Sequence, residues 1–158
     1  MLGVTGLESF EVVRGLVREM KPGLVVVIDA LAARNTDRLG ASIQITNAGI
    51  TPGSGLGNHR ESLDYDSLDV PVIAIGVPTV VYTGTIVSDV LERAMPAEDP
   101  ITRKRIIRSV AESTGADLVV TPKDIDALTD HCARLIAEML DLALNPYITR
   151  GEIEELKN

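Results

Sequence analysis

Residues 7–23, LESFEVVRGLVREMKPG, place Leu7, Phe10, Val13, Leu16 and Val17 at helical spacing, and Pro22 with Gly23 stops the pattern. A helix is predicted there. The rhythm then changes. LVVVID (24–29) is a short β-branched apolar run bounded by glycine, which predicts a strand covered on both faces, hence parallel and central. SIQIT (42–46) alternates polar and apolar residues and predicts a half-exposed strand. VPVIAIGVPTVV (70–81) contains a second buried strand, roughly Val72 to Gly76. Helices are predicted over TIVSDVLERAM (85–95) and over ITRKRIIRSVAES (101–113), the second with a basic, solvated face. ADLVVTPKD (116–124) reads as a short strand and a turn. DIDALTDHCARLIAEMLDLALNP (124–146) reads as a long amphipathic helix with Asp124 or Asp126 at its positive end. The polar tail YITRGEIEELKN reads as a short helix or a frayed end.

Helices alternating with short apolar strands imply an α/β layer fold with a mainly parallel twisted sheet and helices on both faces. In open sheets of this kind the functional crevice lies beyond the carboxyl ends of the strands. Asp29 is expected at such an end, and so is GVPT after the second buried strand. A length of 158 residues suits one domain, and 45% hydrophobic residues suffice for an aliphatic core, there being one Phe and no Trp. The net charge of -8 argues against a basic face for nucleic acid. No apolar run approaches the roughly 20 residues that span a bilayer. MLGVTGLESF has neither a basic start nor an apolar signal core. The single cysteine, Cys132, makes no internal disulfide and reads as a packed thiol in HCARLIAEML. The default expectation is an intracellular, soluble protein without membrane contact.

Two segments carry candidate chemistry. Asp29 ends an apolar run, so it is either a functional carboxylate or a cap for the turn ALAAR, the two weighing about equally on spacing alone. TNAGITPGSGLGNHR (46–60) has four glycines between Gly49 and Gly57 and can present several N–H groups to an anion or a peptide carbonyl. No Gly-Lys-Ser/Thr follows, and no helix clearly opens after GSGLGN, so neither a phosphate loop nor a dinucleotide fingerprint is present. His59 and His131 have no neighbours at metal-ligand spacing, and Ser54 lacks a His-Asp pattern. No metal or cofactor is expected.

VVVIDALAAR, SIQITNAGITPGSGLGNHR and VPVIAIGVPTVV together resemble, in order and spacing, the germination protease family of spore-forming bacteria. The resemblance is strong over residues 1–95. It implies an atypical aspartic endopeptidase that starts degradation of small acid-soluble spore proteins at germination. It also implies a spore-core or forespore location, a zymogen that sheds a propeptide, and a homotetramer. The implied fold is a three-layer sandwich similar to the hydrogenase-maturation peptidases (phosphorylase/hydrolase-like). One of the family's two catalytic aspartates falls on Asp29. The other belongs to an upstream TPDALGP-type segment with no counterpart in these 158 residues, so residues 1–158 are expected to form one incomplete α/β domain, the C-terminal part of a larger peptidase, and to be inactive alone. The family commonly carries an acid near Tyr82, where this chain has VVYTGTIVSD.

Aspartic peptidases need two carboxylates that share a proton, one acting as base on water and the other as acid. The candidate catalytic residue is Asp29. Gly53, Ser54, Gly55, Gly57 and Asn58 are candidates for holding substrate, with Arg34 and Arg60, and Arg38 beside them, as receivers of acidic side chains. Asp64, Asp66 and Asp69 in LDYDSLDV read as solvated. The competing readings are a hydrogenase-maturation type metallopeptidase and a non-catalytic peptide- or anion-binding module in which Asp29 is a structural cap.

Overall fold

The computed structural model describes residues 8–52, 61–95, 99–114, 118–145, 147, 149 and 151–152. They fall in two units, one running to Thr121 and one starting at Pro122. The first holds α1 (Ser9–Met20), β1 (Val25–Ala32), a 3-10 turn (Thr36–Arg38), β2 (Gln44–Thr46), α2 (Tyr65–Leu68), β3 (Val72–Tyr82), α3 (Thr83–Ala94), α4 (Pro100–Thr114) and β4 (Val119–Val120). The second contains α5 (Ile125–Leu144), whose Ile136 is buried and whose Cys132 is half-buried. Among the described residues no helix is long and apolar enough to cross a membrane.

The sheet is mixed. β1 and β3 pair in parallel, with Val25 opposite Val72 and Ile28 opposite Ile75, so the two apolar runs are neighbours as their composition suggests. β2 and β4 each pair antiparallel with β3, which corrects the expectation of a mainly parallel sheet. Three- and two-residue strands carry too little pattern to fix a direction. β1 is also longer than its apolar run, continuing through Asp29 to Ala32. Nor is it covered on both faces, since Ile28 is 53% exposed.

Pro78 accounts for the irregularity in the parallel ladder. Leu31 faces Pro78, but Ala32 faces Val80, so the register slips by one residue after the proline. A proline has no N–H for the ladder, and a bulge absorbs the loss. The Pro78 carbonyl is used instead by Gly40, whose N–H donates to it at 2.7 Å. Gly40 has a φ of +66°, so the chain returning from the 3-10 turn bends sharply onto β3 there.

The core lies where β1 and β3 begin. Phe10 of α1, Leu63, Leu68 of α2, Val70 and Val72 form one buried cluster, with Val13, Val17, Val25, Val27 and Ile50 packed against it. α1 is amphipathic and opens with a capping box between Glu8 and Glu11. It ends at Lys21 in the left-handed conformation (φ 49°), one residue before the expected Pro-Gly stop. A two-way backbone bridge between Ile50 and Leu63 closes the base of the segment between them, at 3.0 and 2.7 Å. Gly49 makes that closure possible. Its φ is +83°, and a Cβ there would lie 2.5 Å from both Leu63 O and Asp64 Cβ.

Gly49→Ala is expected to destabilise the protein by about 1–3 kcal/mol from left-handed strain, plus the cost of separating the bridge. Urea unfolding measures this. A Gly49→Ala midpoint equal to wild type would mean that the bridge does not depend on this glycine.

Candidate functional site

Asp29 is the fifth of the eight residues of β1, not its last. Its register partner is Gly76, and Gly76 is paired on β2 with Gln44. Asp29, Gly76 and Gln44 therefore form one row across three strands. Strand alternation puts Asp29 on the face of Val25, Val27 and Leu31, the face that buries the core at the other end of the strands. Gly76 leaves the middle of the row bare. The Leu31 side chain fills the space, and a Cβ on Gly76 would collide with Leu31 Cδ1. Asp29 thus stands half-buried, past the core cluster, beside a leucine lying against β3.

One carboxylate oxygen is engaged. Asp29 Oδ1 accepts the Ala30 N–H at 2.9 Å, while Oδ2 accepts no hydrogen bond among the described residues. The expected alternative, a cap for a turn over ALAAR, does not describe this geometry, because residues 30–32 are strand. What remains is a carboxylate oriented through one oxygen and available through the other, which suits proton exchange with a water or a substrate. Among the described residues no three His, Cys, Asp or Glu side chains are grouped to hold a metal ion.

The segment after β1 is fixed by contacts distant in sequence. Ala33 is buried and donates its N–H to Val80 O at 2.7 Å, which leaves Arg34 exposed just beyond the strand. Asp89 on α3 accepts both the Thr36 N–H (2.6 Å) and the Thr36 hydroxyl (2.8 Å). Arg93 bonds both oxygens of Asp37 at 2.7 Å, an exposed pair that contributes little by itself. Arg38, also exposed, is the last residue of the 3-10 turn, where its N–H donates to the Asn35 side chain. Asp89 carries no cue in the sequence, because its partner is 53 residues away.

Gly53, Ser54, Gly55, Gly57, Asn58 and Arg60, together with His59, lie outside the described residues. Their stems are described. β2 runs antiparallel to β3, from the Gly76 row at Gln44 to the Ala74 row at Thr46. The chain therefore enters the glycine-rich segment heading toward the end of the sheet where β1 and β3 begin. Gly49, in the incoming stem, has a positive φ of 83°. On the outgoing side, Asp64 is a capping residue and not merely a solvated acid. It accepts from the Ser67 N–H at 2.9 Å and from the Ser62 hydroxyl, while its own N–H donates to Ser67 Oγ. The spacing Asp64-x-x-Ser67 was the signal for this cap. The Ser62 hydroxyl first, then the Ser67 N–H and hydroxyl, hold the Asp64 carboxyl below the usual carboxylate range.

A family model described as germination protease matches residues 1–98. Among curated proteins, the germination protease of Caldanaerobacter subterraneus subsp. tengcongensis is 43% identical over 99% of this chain and 53% of its own length. That of Clostridium perfringens strain 13 is 38% identical over 100% of this chain and 54% of its own. That of Bacillus subtilis strain 168 is 34% identical over 95% and 54%. This chain belongs to the germination protease family. It spans about half the length of the curated relatives it matches. The germination protease match contains Asp29, the glycine-rich segment and all of β3, and it ends before α4.

Asp64 gives the loop base a pH dependence. A carboxyl whose folded pKa is depressed adds stability that is complete above its unfolded value and is lost as pH falls through the folded value. Stability measured from about pH 5 downward should therefore fall in wild type more steeply than in Asp64→Asn, which cannot titrate. Parallel curves for the two proteins would remove Asp64 from the acid transition.

Proposed function

We propose that this chain supplies Asp29 to the site of an aspartic-type endopeptidase acting on small acid-soluble spore proteins at germination. The observation that carries the reading is that the family match includes Asp29, and that Asp29 keeps one oxygen without a bonding partner among the described residues. In the proposed chemistry, a second carboxylate shares a proton with Asp29. One of the two withdraws a proton from water as it attacks the scissile carbonyl, and the other protonates the leaving amine. One carboxylate cannot hold both roles at once. By resemblance to the family, the partner acid belongs to a TPDALGP-type segment upstream, with residues 1–158 forming the C-terminal part of one α/β domain. The Leu31 side chain lies over Gly76, the register partner of Asp29, and so lines the site with an apolar group.

We assign substrate binding to Gly53, Ser54, Gly55, Gly57 and Asn58, with Arg34 and Arg60 receiving acidic side chains. The exposure of Arg34 just past β1 supports its part. The proposal extends to a homotetramer in the spore core or forespore, and to a three-layer sandwich similar to the hydrogenase-maturation peptidases with helices on both faces of the sheet. The parallel β1–β3 pair supports that architecture.

The test compares the protein extended to the length of its relatives, its Asp29→Asn variant and the 158-residue chain alone, each incubated with a small acid-soluble spore protein. The extended wild type should cleave it, and the 158-residue chain should not. Asp29→Asn should lose about two to four decades of rate, as expected for one acid–base group, with an unchanged melting midpoint. Turnover by Asp29→Asn at the wild-type rate would return Asp29 to a structural role.

A further inference from the structure

A second feature lies apart from Asp29, at the end of the sheet where β1 and β3 begin. Arg14, Val17, Arg18 and Lys21 of α1 and its cap face Ser67, Leu68 and Asp69 across a cavity of about 430 Å³. Lys21 leads through three residues into β1, and Asp69 leads through two into β3, so the cavity sits where both strands begin. Asp29 is four residues further along β1, roughly 13 Å at strand rise. The two places are separate.

The cavity's charge is out of character with the chain. The protein carries a net charge of -8, yet Arg14, Arg18 and Lys21 gather on one helix face at spacings of four and three residues. None of them is in an ion pair among the described residues, whose ion pairs involve Arg93, Arg103, Arg108 and Arg134. Arg14 is steadied over the Phe10 ring, 5.7 Å from its centroid. Val17 and the buried Leu68 add apolar lining. Asp69 is held in the left-handed conformation with its N–H on Tyr65 O, and its carboxylate accepts no hydrogen bond among the described residues.

We propose that this cavity binds a small phosphorylated polyol, its phosphoryl group on Arg14, Arg18 and Lys21 and a hydroxyl donated to Asp69. Three cations against one acid leave a net charge of about +2, which a phosphate monoester with a charge near -2 neutralises and a single carboxylate does not. Arg18 and Lys21 lie in the last turn and cap of α1, where their positive charge complements the negative end of the helix. The acid in a basic cavity fits a ligand that brings hydroxyl donors as well as charge. The volume lies in the range of small-molecule sites and is too small for a folded partner.

Calorimetric titration of the intact protein with glucose 6-phosphate, AMP, inorganic phosphate and glucose tests this. Glucose 6-phosphate or AMP is expected to bind at least tenfold more tightly than inorganic phosphate or glucose. Whichever of the two binds more tightly tells a sugar phosphate from a nucleotide. Arg18→Gln and Lys21→Asn should each weaken that binding about tenfold, the loss of one charge-assisted bond. Asn tolerates the left-handed position at residue 21, and Arg18 is exposed, so both variants should melt as wild type does. Asp69→Asn should bring the organic phosphate to the level of inorganic phosphate while leaving inorganic phosphate unchanged. No heat from any probe at millimolar concentration, equal binding of inorganic phosphate, or full binding by variants that melt normally would each overturn the proposal.

Discussion

Every described strand of the sheet hydrogen-bonds to β3. β1 runs beside it over eight residues, β2 pairs with Ala74 to Gly76 in its first half, and β4 closes on its last two residues. Two residues of β3 then decide the local geometry. Gly76 gives up its side chain so that Leu31 can lie across it, next to Asp29. Pro78 gives up its N–H, and the ladder slips just past it, so that Ala33 meets Val80 and the 3-10 turn swings toward Asp89. The carboxylate and the segment carrying Arg34 are both placed by the strand next door.

Stability and candidate chemistry occupy different parts of this sheet. The buried cluster of Phe10, Leu63, Leu68, Val70 and Val72 gathers where the strands begin, and Leu63 is 1% exposed. Asp29 stands one rung of its face beyond Val27, the last β1 residue packed against that cluster. The same cluster fixes the glycine-rich segment at its base, through Ile50 and Leu63. A loop anchored this way can vary its tip without loosening the core.

Much of this was legible in the residues. LVVVID and VIAIG are β-branched apolar runs, and their pairing follows from a preference that belongs to those side chains. The helices followed from apolar periodicity to within a few residues, as at α1 and α5. The extension of β1 beyond Asp29, through Ala30, Leu31 and Ala32, was not legible. Asp and Ala are poor strand formers, and only pairing with β3 keeps them extended. Direction failed for β2, because three alternating residues do not record which way the chain runs, and the half-exposed pattern failed too, since all three are exposed. Asp29 itself stood out as an acid at the end of an apolar run. The roles of Asp89 and Asp69 depend on residues brought together by folding.

The bond between Asp29 and Ala30 has a consequence for the side of β1 that pairs with no strand among the described residues. In the parallel ladder, alternate residues turn their N–H toward β3, beginning with Val25, which donates to Pro71 O. Ala30 is out of phase with Val25 and turns its N–H outward, where Asp29 Oδ1 takes it. Unpaired edge strands invite other chains, and a charge folded over the edge deters them. Asp29 therefore acts as a latch on β1. Any strand that zips along this edge must take the Ala30 N–H from the carboxylate, so edge pairing and the freeing of both Asp29 oxygens are a single event.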